Sequence, residues 1–175
     1  VMRTLALLML ASFTMSAYSA SKTILVLGDS LSAEYGLARG EGWVNLLQKK
    51  LEAEKITASI VNASISGETT SGGAARLQTL LDKHQPAVVV IELGANDALR
   101  GLSLIATQQN LRNMVAAAKK AKARVLLIGM QIPPNYGTDY TRQFADLFPK
   151  IAKESKSALV PFMPVSYTHL RAHET

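Results

Sequence analysis

The chain alternates short apolar runs with longer segments in which apolar residues recur at helical spacing. Five runs are dense in Val, Ile and Leu without polar alternation: residues 23–28, 58–63, 87–94, 124–130 and 158–163. Such runs are typical of strands buried on both faces of a parallel sheet. Amphipathic segments of helical length lie between them, near residues 42–55, 73–84, 104–122 and 139–156.

This alternation of strands and helices with short links predicts an α/β fold. We expect five parallel strands in one open sheet, with helices on both faces. The 175 residues contain no internal repeat and no low-complexity linker, and 48% of them are hydrophobic. A chain of this length and composition suits one domain with a proper core, which we predict to span residues 20–163.

Residues 1–19 have the pattern of a secretory signal peptide. Arg3 gives a basic start, an apolar stretch covers residues 4–13, and small residues occupy the −3 and −1 positions of a cleavage point before Ala20. The apolar stretch is too short to span a bilayer. We therefore expect a periplasmic or secreted protein without a stable membrane anchor. The alternative is a buried N-terminal helix, but the stretch lacks the polar face that such a helix needs.

Charge and cysteine content exclude several kinds of function. The 19 Lys and Arg residues against 13 Asp and Glu give a formal net charge of +6, and the charges are scattered. The densest group ends a predicted helix, where cations favour the negative end of the helix dipole: Lys119, Lys120, Lys122 and Arg124. Because no aromatic residues interleave with them, we expect no nucleic-acid partner. The absence of cysteine excludes disulfides, thiol catalysis and Cys-based metal sites.

Small and polar residues collect just after the predicted strands. Loops of this kind follow the first four strands, at residues 28–30, 64–69, 94–97 and 131–137. In an open parallel sheet, ligands bind outside the carboxyl ends of the strands. The predicted topology would therefore bring four polar loops to one edge of the sheet.

Three of these loops contain the groups that ester hydrolysis through a serine requires. Ser30 is a candidate nucleophile whose own backbone N–H can donate to an oxyanion. Gly67 can bring a second N–H close because no Cβ intervenes, and Asn96 can aim a side-chain amide at the same point. Each residue alone is more simply a turn or capping residue. Their order at successive strand ends makes the combination specific.

The motifs that contain these residues resemble the SGNH (GDSL) hydrolases. GDSLS at 28–32, NASISGET at 62–69 and GAND at 94–97 are similar to the first three motif blocks of that family. The closer resemblance is to its periplasmic arylesterase, acyl-CoA thioesterase I and lysophospholipase group, in residues 62–67, in HQPAVVVIELGAND and in IPPNYG. It covers roughly residues 22–163.

The resemblance implies a flavodoxin-like three-layer sandwich and the hydrolysis of esters or thioesters without metal or cofactor. It implies that Ser30 is the nucleophile that forms the acyl-enzyme. Gly67 and Asn96 would complete the oxyanion hole. Asp29 and Asp97 belong to the same motifs, and we interpret both as structural residues that organise the strand-end loops.

The resemblance also suggests which residues bind the substrate and what kind of substrate it is. Pro133, Asn135 and Tyr136, in the loop after the fourth strand, are candidate substrate-binding residues. The expected partner is a small-molecule acyl ester or thioester, such as an aryl ester, an acyl-CoA or a lysophospholipid. We expect the protein to be a monomer.

One block of the family has no counterpart in residues 1–175. The family carries its base on a late Asp-x-x-His motif, and that spacing does not occur among these residues. Neither His169 nor His173 has the preceding acid that would orient an imidazole, and His84 is expected at the opposite edge from Ser30. Residues 164–175 resemble nothing in the family, which indicates a foreign tail on a truncated, impaired enzyme. The alternative is a divergent native tail in which His169 is the base.

Other functions fit the same loops less well. The main alternative is a non-catalytic α/β ligand-binding domain in which Ser30 only hydrogen-bonds a ligand, but such a domain has no need for Ser, Gly and Asn at three strand ends. The stretch GETTSGG at 67–73 is not followed by Lys-Ser/Thr and is not a P-loop. The G-x-S-x-G elbow of lipase-like hydrolases is also absent.

Overall fold

The computed structural model describes residues 22–162, which form one sheet and its covering helices. The strands are β1 (Lys22–Gly28), β2 (Ala58–Asn62), β3 (Val88–Glu92), β4 (Arg124–Ile128) and β5 (Ala158–Val160). The helices are α1 (Trp43–Ala53), α2 (Thr70–His84), α3 (Ala95–Leu99), α4 (Leu104–Lys120) and α5 (Thr138–Ser155), with a 3-10 turn over Pro134–Tyr136. The predicted signal peptide and the predicted foreign tail both lie outside the described residues.

The strands are all parallel, in the spatial order β2-β1-β3-β4-β5. This order confirms the predicted open parallel sheet and is that of flavodoxin-like folds. β1 lies between β2 and β3, and Ile24 is in register with both Ile60 and Val88. The loops that follow these three strands therefore start side by side at one edge of the sheet.

The core lies on both faces of the sheet because alternate residues of each strand point to opposite sides. Leu25 and Leu27 pack into the larger cluster with residues of α2, α4 and α5, whereas Val26 packs into a smaller cluster with Val44 of α1. All three strand residues are fully buried, and burying a side chain of this size contributes about 1.5–3 kcal/mol. The prediction of helices on both faces is confirmed.

Helix α2 begins earlier than the sequence pattern predicted, at Thr70 rather than near residue 73. The Oγ1 of Thr69 accepts a hydrogen bond from the N–H of Gly72 at 3.3 Å and caps the helix. Gly73 faces the sheet, where an added Cβ would lie 2.4 Å from Cδ1 of Leu93. The absence of a side chain at Gly73 therefore allows the helix to approach the sheet closely.

Candidate active site

The first loop of the site begins where β1 ends at Gly28. There is no room for a side chain at Gly28, because an added Cβ would lie 2.6 Å from Oγ of Ser32 and 2.7 Å from Oε2 of Glu92. Asp29 and Ser30 follow at once and are only 1% and 7% exposed. The backbone then turns, and the N–H of Ser32 donates to the Asp29 carbonyl at 3.2 Å. Ser30 is therefore fixed at a junction between a strand and a turn.

A buried carboxylate at the end of β3 supports this turn. Glu92 is fully buried, and its Oε2 accepts hydrogen bonds from Oγ of Ser32 at 2.6 Å and from the N–H of Asp29 at 3.2 Å. The indole N–H of Trp43 donates to the same Ser32 hydroxyl at 3.2 Å. The network links β1, β3 and α1 beneath the nucleophile candidate.

The sequence analysis did not single out Glu92 or Ser32. The available signal was the presence of an acid at the end of an apolar run, because a buried carboxylate requires hydrogen-bond partners. The sequence pattern does not show which residue donates those hydrogen bonds to Glu92. Ser32 lies 60 positions earlier in the chain.

The amide of Asn96 joins the loops that follow β1 and β2. Its Nδ2 donates to Oδ2 of Asp29 and to the backbone carbonyl of Glu68, each at 3.0 Å. Glu68 directly follows Gly67, whose φ of +76° lies in the left-handed region that glycine adopts without strain. The structure therefore brings the loops of Ser30, Gly67 and Asn96 together at the carboxyl edge of the sheet.

Asp97, the residue after Asn96, hydrogen-bonds to residues in the first turns of helices α2 and α4. It is 3% exposed, and its Oδ2 accepts from the N–H of Thr70 at 2.9 Å. Its Oδ1 accepts from the hydroxyls of Thr70 and Thr107 at 2.5 and 3.3 Å. A carboxylate at the first turn of α2 also complements the helix dipole. These contacts agree with a structural role for Asp97.

Two arginines contact the loop that contains Gly67. Arg76 donates to Oε2 of Glu68 at 2.8 Å and to the carbonyl of Ala63 at 2.6 Å. Arg100 donates through Nη2 to the carbonyl of Gly67 at 3.0 Å. Arg76 is ion-paired and partly buried, whereas Arg100 is exposed. Neither arginine was singled out from the sequence, since the pattern does not reveal which loop an arginine side chain contacts.

The segment between Ser30 and α1 is organised by Glu34. Its Oε1 accepts hydrogen bonds from the N–H of Gly42 at 2.9 Å, from that of Gly40 at 3.1 Å and from Nδ2 of Asn45 at 2.5 Å. These bonds lower the pKa of Glu34 from its ordinary 4.5, and the Gly42 N–H has the largest effect. The carboxylate thus stabilises the loop that leads away from the candidate nucleophile.

The loop after β4 lies at the same edge of the sheet, beyond β3. Pro133, Asn135 and Tyr136 are exposed there, Tyr136 to 42%. No hydrogen bond within residues 22–162 joins them to Gly67 or Asn96. Their role in substrate binding therefore stays a prediction.

Tyr140 of α5 contacts helix α3, which follows β3. Its hydroxyl donates to the carbonyl of Ala98 at 3.1 Å. Burial raises the pKa of Tyr140 above its ordinary 10.0, and the nearby charge of Asp97 raises it further. The hydroxyl therefore stays protonated, and remains a donor, well above neutral pH.

Within residues 22–162, His84 is the only histidine. It is the last residue of α2 and precedes β3, so it lies at the amino edge of the sheet, away from Ser30. In the same residues no group of three His, Cys, Asp or Glu side chains is arranged to bind a metal ion, and no helix has both the length and the apolarity to cross a membrane. His169 and His173 fall outside the described residues.

Comparisons with known proteins match most of the chain. The sequence model of the GDSL-like Lipase/Acylhydrolase family matches residues 26–175. Esterase TesA from Pseudomonas aeruginosa is 50% identical over 87% of this chain and 76% of that protein. An arylesterase from Vibrio mimicus is 44% identical over 86% of this chain and 76% of its own length. Thioesterase 1/protease 1/lysophospholipase L1 from Escherichia coli is 45% identical over 82% and 68%, respectively.

Solved structures are similar over the same region. A crystal structure of TesA superimposes with a TM-score of 0.79 at 52% identity and covers 81% of this chain and 78% of that chain. The family match extends to residue 175 and includes residues 164–175. It therefore sets no boundary at residue 163, and the foreign origin of this tail stays a prediction.

Proposed function

Because the chain belongs to the GDSL-like lipase/acylhydrolase family and is an ester hydrolase, we propose that it cleaves carboxylic esters or thioesters through an acyl-enzyme on Ser30. The observation that carries this proposal is the pair of 3.0 Å hydrogen bonds from Asn96 to Asp29 and to Glu68. These bonds hold an amide donor against Asp29, which directly precedes Ser30, and against Glu68, which directly follows Gly67. Membership of a hydrolase family disfavours the alternative of a non-catalytic binding domain.

The proposed reaction begins when Oγ of Ser30 attacks the substrate carbonyl carbon. Its proton passes to a base, and the negative charge that develops on the carbonyl oxygen is stabilised by N–H donors. We assign these donors to the backbone N–H groups of Ser30 and Gly67 and to the amide of Asn96. The alcohol or thiol then departs, and water hydrolyses the acyl-enzyme.

Asn96 uses both amide hydrogens in the structure, one on the carboxylate of Asp29 and one on the neutral carbonyl of Glu68. A bond to a charged acceptor is roughly twice as strong as a bond to a neutral one. We therefore infer that the N–H now bonded to the Glu68 carbonyl is the one that donates to the oxyanion, while Asp29 keeps the amide oriented. Hydrogen bonds of this kind commonly tighten only when substrate binds.

The base is the part of the mechanism that residues 22–162 do not supply. A serine near pH 7 is a poor nucleophile unless an adjacent base accepts its proton. Since residues 1–175 contain no Asp-x-x-His spacing, we propose that this chain turns substrate over weakly. The alternative assigns the base to His169.

Serine labelling and turnover together test the role of Ser30. In a version of the chain that carries the family's Asp-x-x-His block, a serine-directed phosphonate should add to the peptide that contains Ser30, as located by mass spectrometry, and Ser30→Ala should abolish both labelling and hydrolysis of p-nitrophenyl butyrate. Ser59→Ala, at an exposed position of β2, is the matched control and should change neither. Unchanged turnover in Ser30→Ala would refute the proposal.

A further inference from the structure

Arg100 is an exposed cation at the carboxyl edge of the sheet that has no carboxylate partner within residues 22–162. Its contact there is the 3.0 Å hydrogen bond from Nη2 to the carbonyl of Gly67, and none of the ion pairs among these residues includes it. Two nearby carboxylates are engaged elsewhere, Glu68 with Arg76 and Asp97 with two threonines. The guanidinium charge of Arg100 is therefore uncompensated beside the site.

The contact with Gly67 limits how far this charge lies from the reacting bond. In the proposed mechanism the N–H of Gly67 donates to the oxyanion, while the carbonyl of the same residue accepts from Arg100. Backbone dimensions and hydrogen-bond lengths then put Nη2 at most about 10 Å from the oxyanion. A cation within that distance is in reach of the part of the substrate that lies close to the ester.

Exposed apolar side chains lie in the two segments that the hydrogen bond between Arg100 and Gly67 joins. Ile65, two residues before Gly67, is 50% exposed, and Leu102, two residues after Arg100, is 44% exposed. Exposed apolar side chains in segments joined by a cation fit a ligand that presents an alkyl chain and an ionic group together. This combination describes an amphiphilic ester better than a neutral aryl ester.

We propose that Arg100 is a specificity-determining residue that binds the phosphate of a glycerophosphate leaving group, as in a lysophospholipid; the assignment rests on the proposed function of Ser30. A guanidinium has five N–H donors in a planar fork that suits phosphate oxygens, and only Nη2 of Arg100 is engaged by Gly67. A glycerol backbone puts its phosphate about 6 Å from the ester, within the limit set above. The pantetheine arm of coenzyme A puts its phosphates more than twice as far away.

The simpler role for Arg100 is to hold the peptide of Gly67 in place. Such a role would affect every substrate alike, because it acts through the oxyanion donor. Binding of a phosphate would affect only ligands that carry one. The two roles are therefore separated by ligands that differ in the phosphate and in nothing else.

The test measures binding by calorimetry to the full chain carrying Ser30→Ala, in which the proposed nucleophile is absent. The matched ligands are 1-octanoylglycerol 3-phosphate and 1-octanoylglycerol, with octanoyl-CoA as a third. In this background Arg100→Gln should raise the Kd of the phosphate ligand about tenfold, the order of effect of one lost charge-assisted contact, and that of octanoylglycerol less than twofold. Arg100→Lys keeps the charge without the fork and should give an intermediate Kd for the phosphate ligand.

Arg124→Gln is the control, because it makes the same change in net charge at the first residue of β4, at the opposite edge. It should leave the Kd of all three ligands unchanged. Equal weakening of phosphate and neutral ligands by Arg100→Gln would overturn the proposal in favour of a structural role. Equal weakening of octanoyl-CoA and the glycerophosphate would overturn the choice of leaving group. Neither result depends on turnover, so a failure of Ser30 as nucleophile would be recognised separately.

Discussion

The Nδ2 of Asn96 lies 3.0 Å from Oδ2 of Asp29, the residue immediately before Ser30. This bond makes the direction of the proposed oxyanion donor depend on a carboxylate in the nucleophile loop. The second bond of the same amide, to the carbonyl of Glu68, connects it to the loop of Gly67. One side chain thus sets the spacing of three loops.

In a version of the chain that carries the family's Asp-x-x-His block, Asn96→Ala should lower kcat by about 10²–10³, the usual effect of losing one oxyanion donor. KM should change much less, because the charge that the donor stabilises develops only in the transition state. The measurement is steady-state hydrolysis of p-nitrophenyl butyrate. Asn113→Ala, on α4, serves as the control, since its described partner is Gln109 of the same helix. A rise in KM at constant kcat would contradict the assignment.

Ser32→Ala should lower the free energy of unfolding by about 1–3 kcal/mol. Ser32 is 1% exposed, and its hydroxyl both donates to Glu92 and accepts from Trp43. Alanine would remove both hydrogen bonds from buried partners. Urea unfolding monitored by Trp43 fluorescence measures the change, with Ser59→Ala as the control. Equal stability of Ser32→Ala and the parent protein would show that the network contributes little.

Glu34→Gln should destabilise the protein at pH 7, and the difference in stability from the parent protein should decrease as the pH is lowered. The folded-state pKa of Glu34 is lowered from 4.5, so its stabilising contribution is complete above the unfolded-state pKa and is lost as the pH falls through the folded-state pKa. Melting temperatures of the two proteins should therefore converge below pH 4.5. Glu41→Gln, at an exposed carboxylate of the same loop, controls for the change in charge. A difference that stayed constant down to acidic pH would exclude this role for Glu34.

A protein that consists of residues 20–175 should hydrolyse p-nitrophenyl butyrate slowly. Loss of the histidine from a serine triad costs on the order of 10⁶ in kcat, and the described residues place no histidine near Ser30. The assay compares this protein with its His169→Ala variant, and His173→Ala is the matched control. Robust turnover that disappears only in His169→Ala would show that the tail supplies the base.

The first 19 residues should be removed on export. Arg3, the apolar stretch over residues 4–13 and the small residues before Ala20 form the pattern that signal peptidase cleaves. Mass spectrometry of the periplasmic fraction should find an N-terminus at or near Ala20. A cytoplasmic product that retains Arg3 would contradict this prediction.

The sequence alone was sufficient to predict the order of strands and helices along the chain and to identify the family. Runs of Val, Ile and Leu predict buried parallel strands because both faces of such strands exclude water. Ser30, Gly67 and Asn96 could be proposed as site residues because each lies in the loop after one of the first three runs. Two boundaries were not predicted: α2 begins at Thr70 rather than near residue 73, and the predicted loop at 94–97 contains the start of the five-residue helix α3.

Only the tertiary structure determined which of these residues touch. Asp29 and Asn96 are 67 positions apart, and the support of Asp29 by Glu92 spans 63 positions. Both contacts exist because β1 lies between β2 and β3, an order that no local pattern encodes. The contact of Arg100 with Gly67 depends on the same order, since it joins the loops after β2 and β3. The spacing of apolar residues shows which faces of each segment are buried. Which residues a side chain contacts depends instead on how distant segments of the chain pack together.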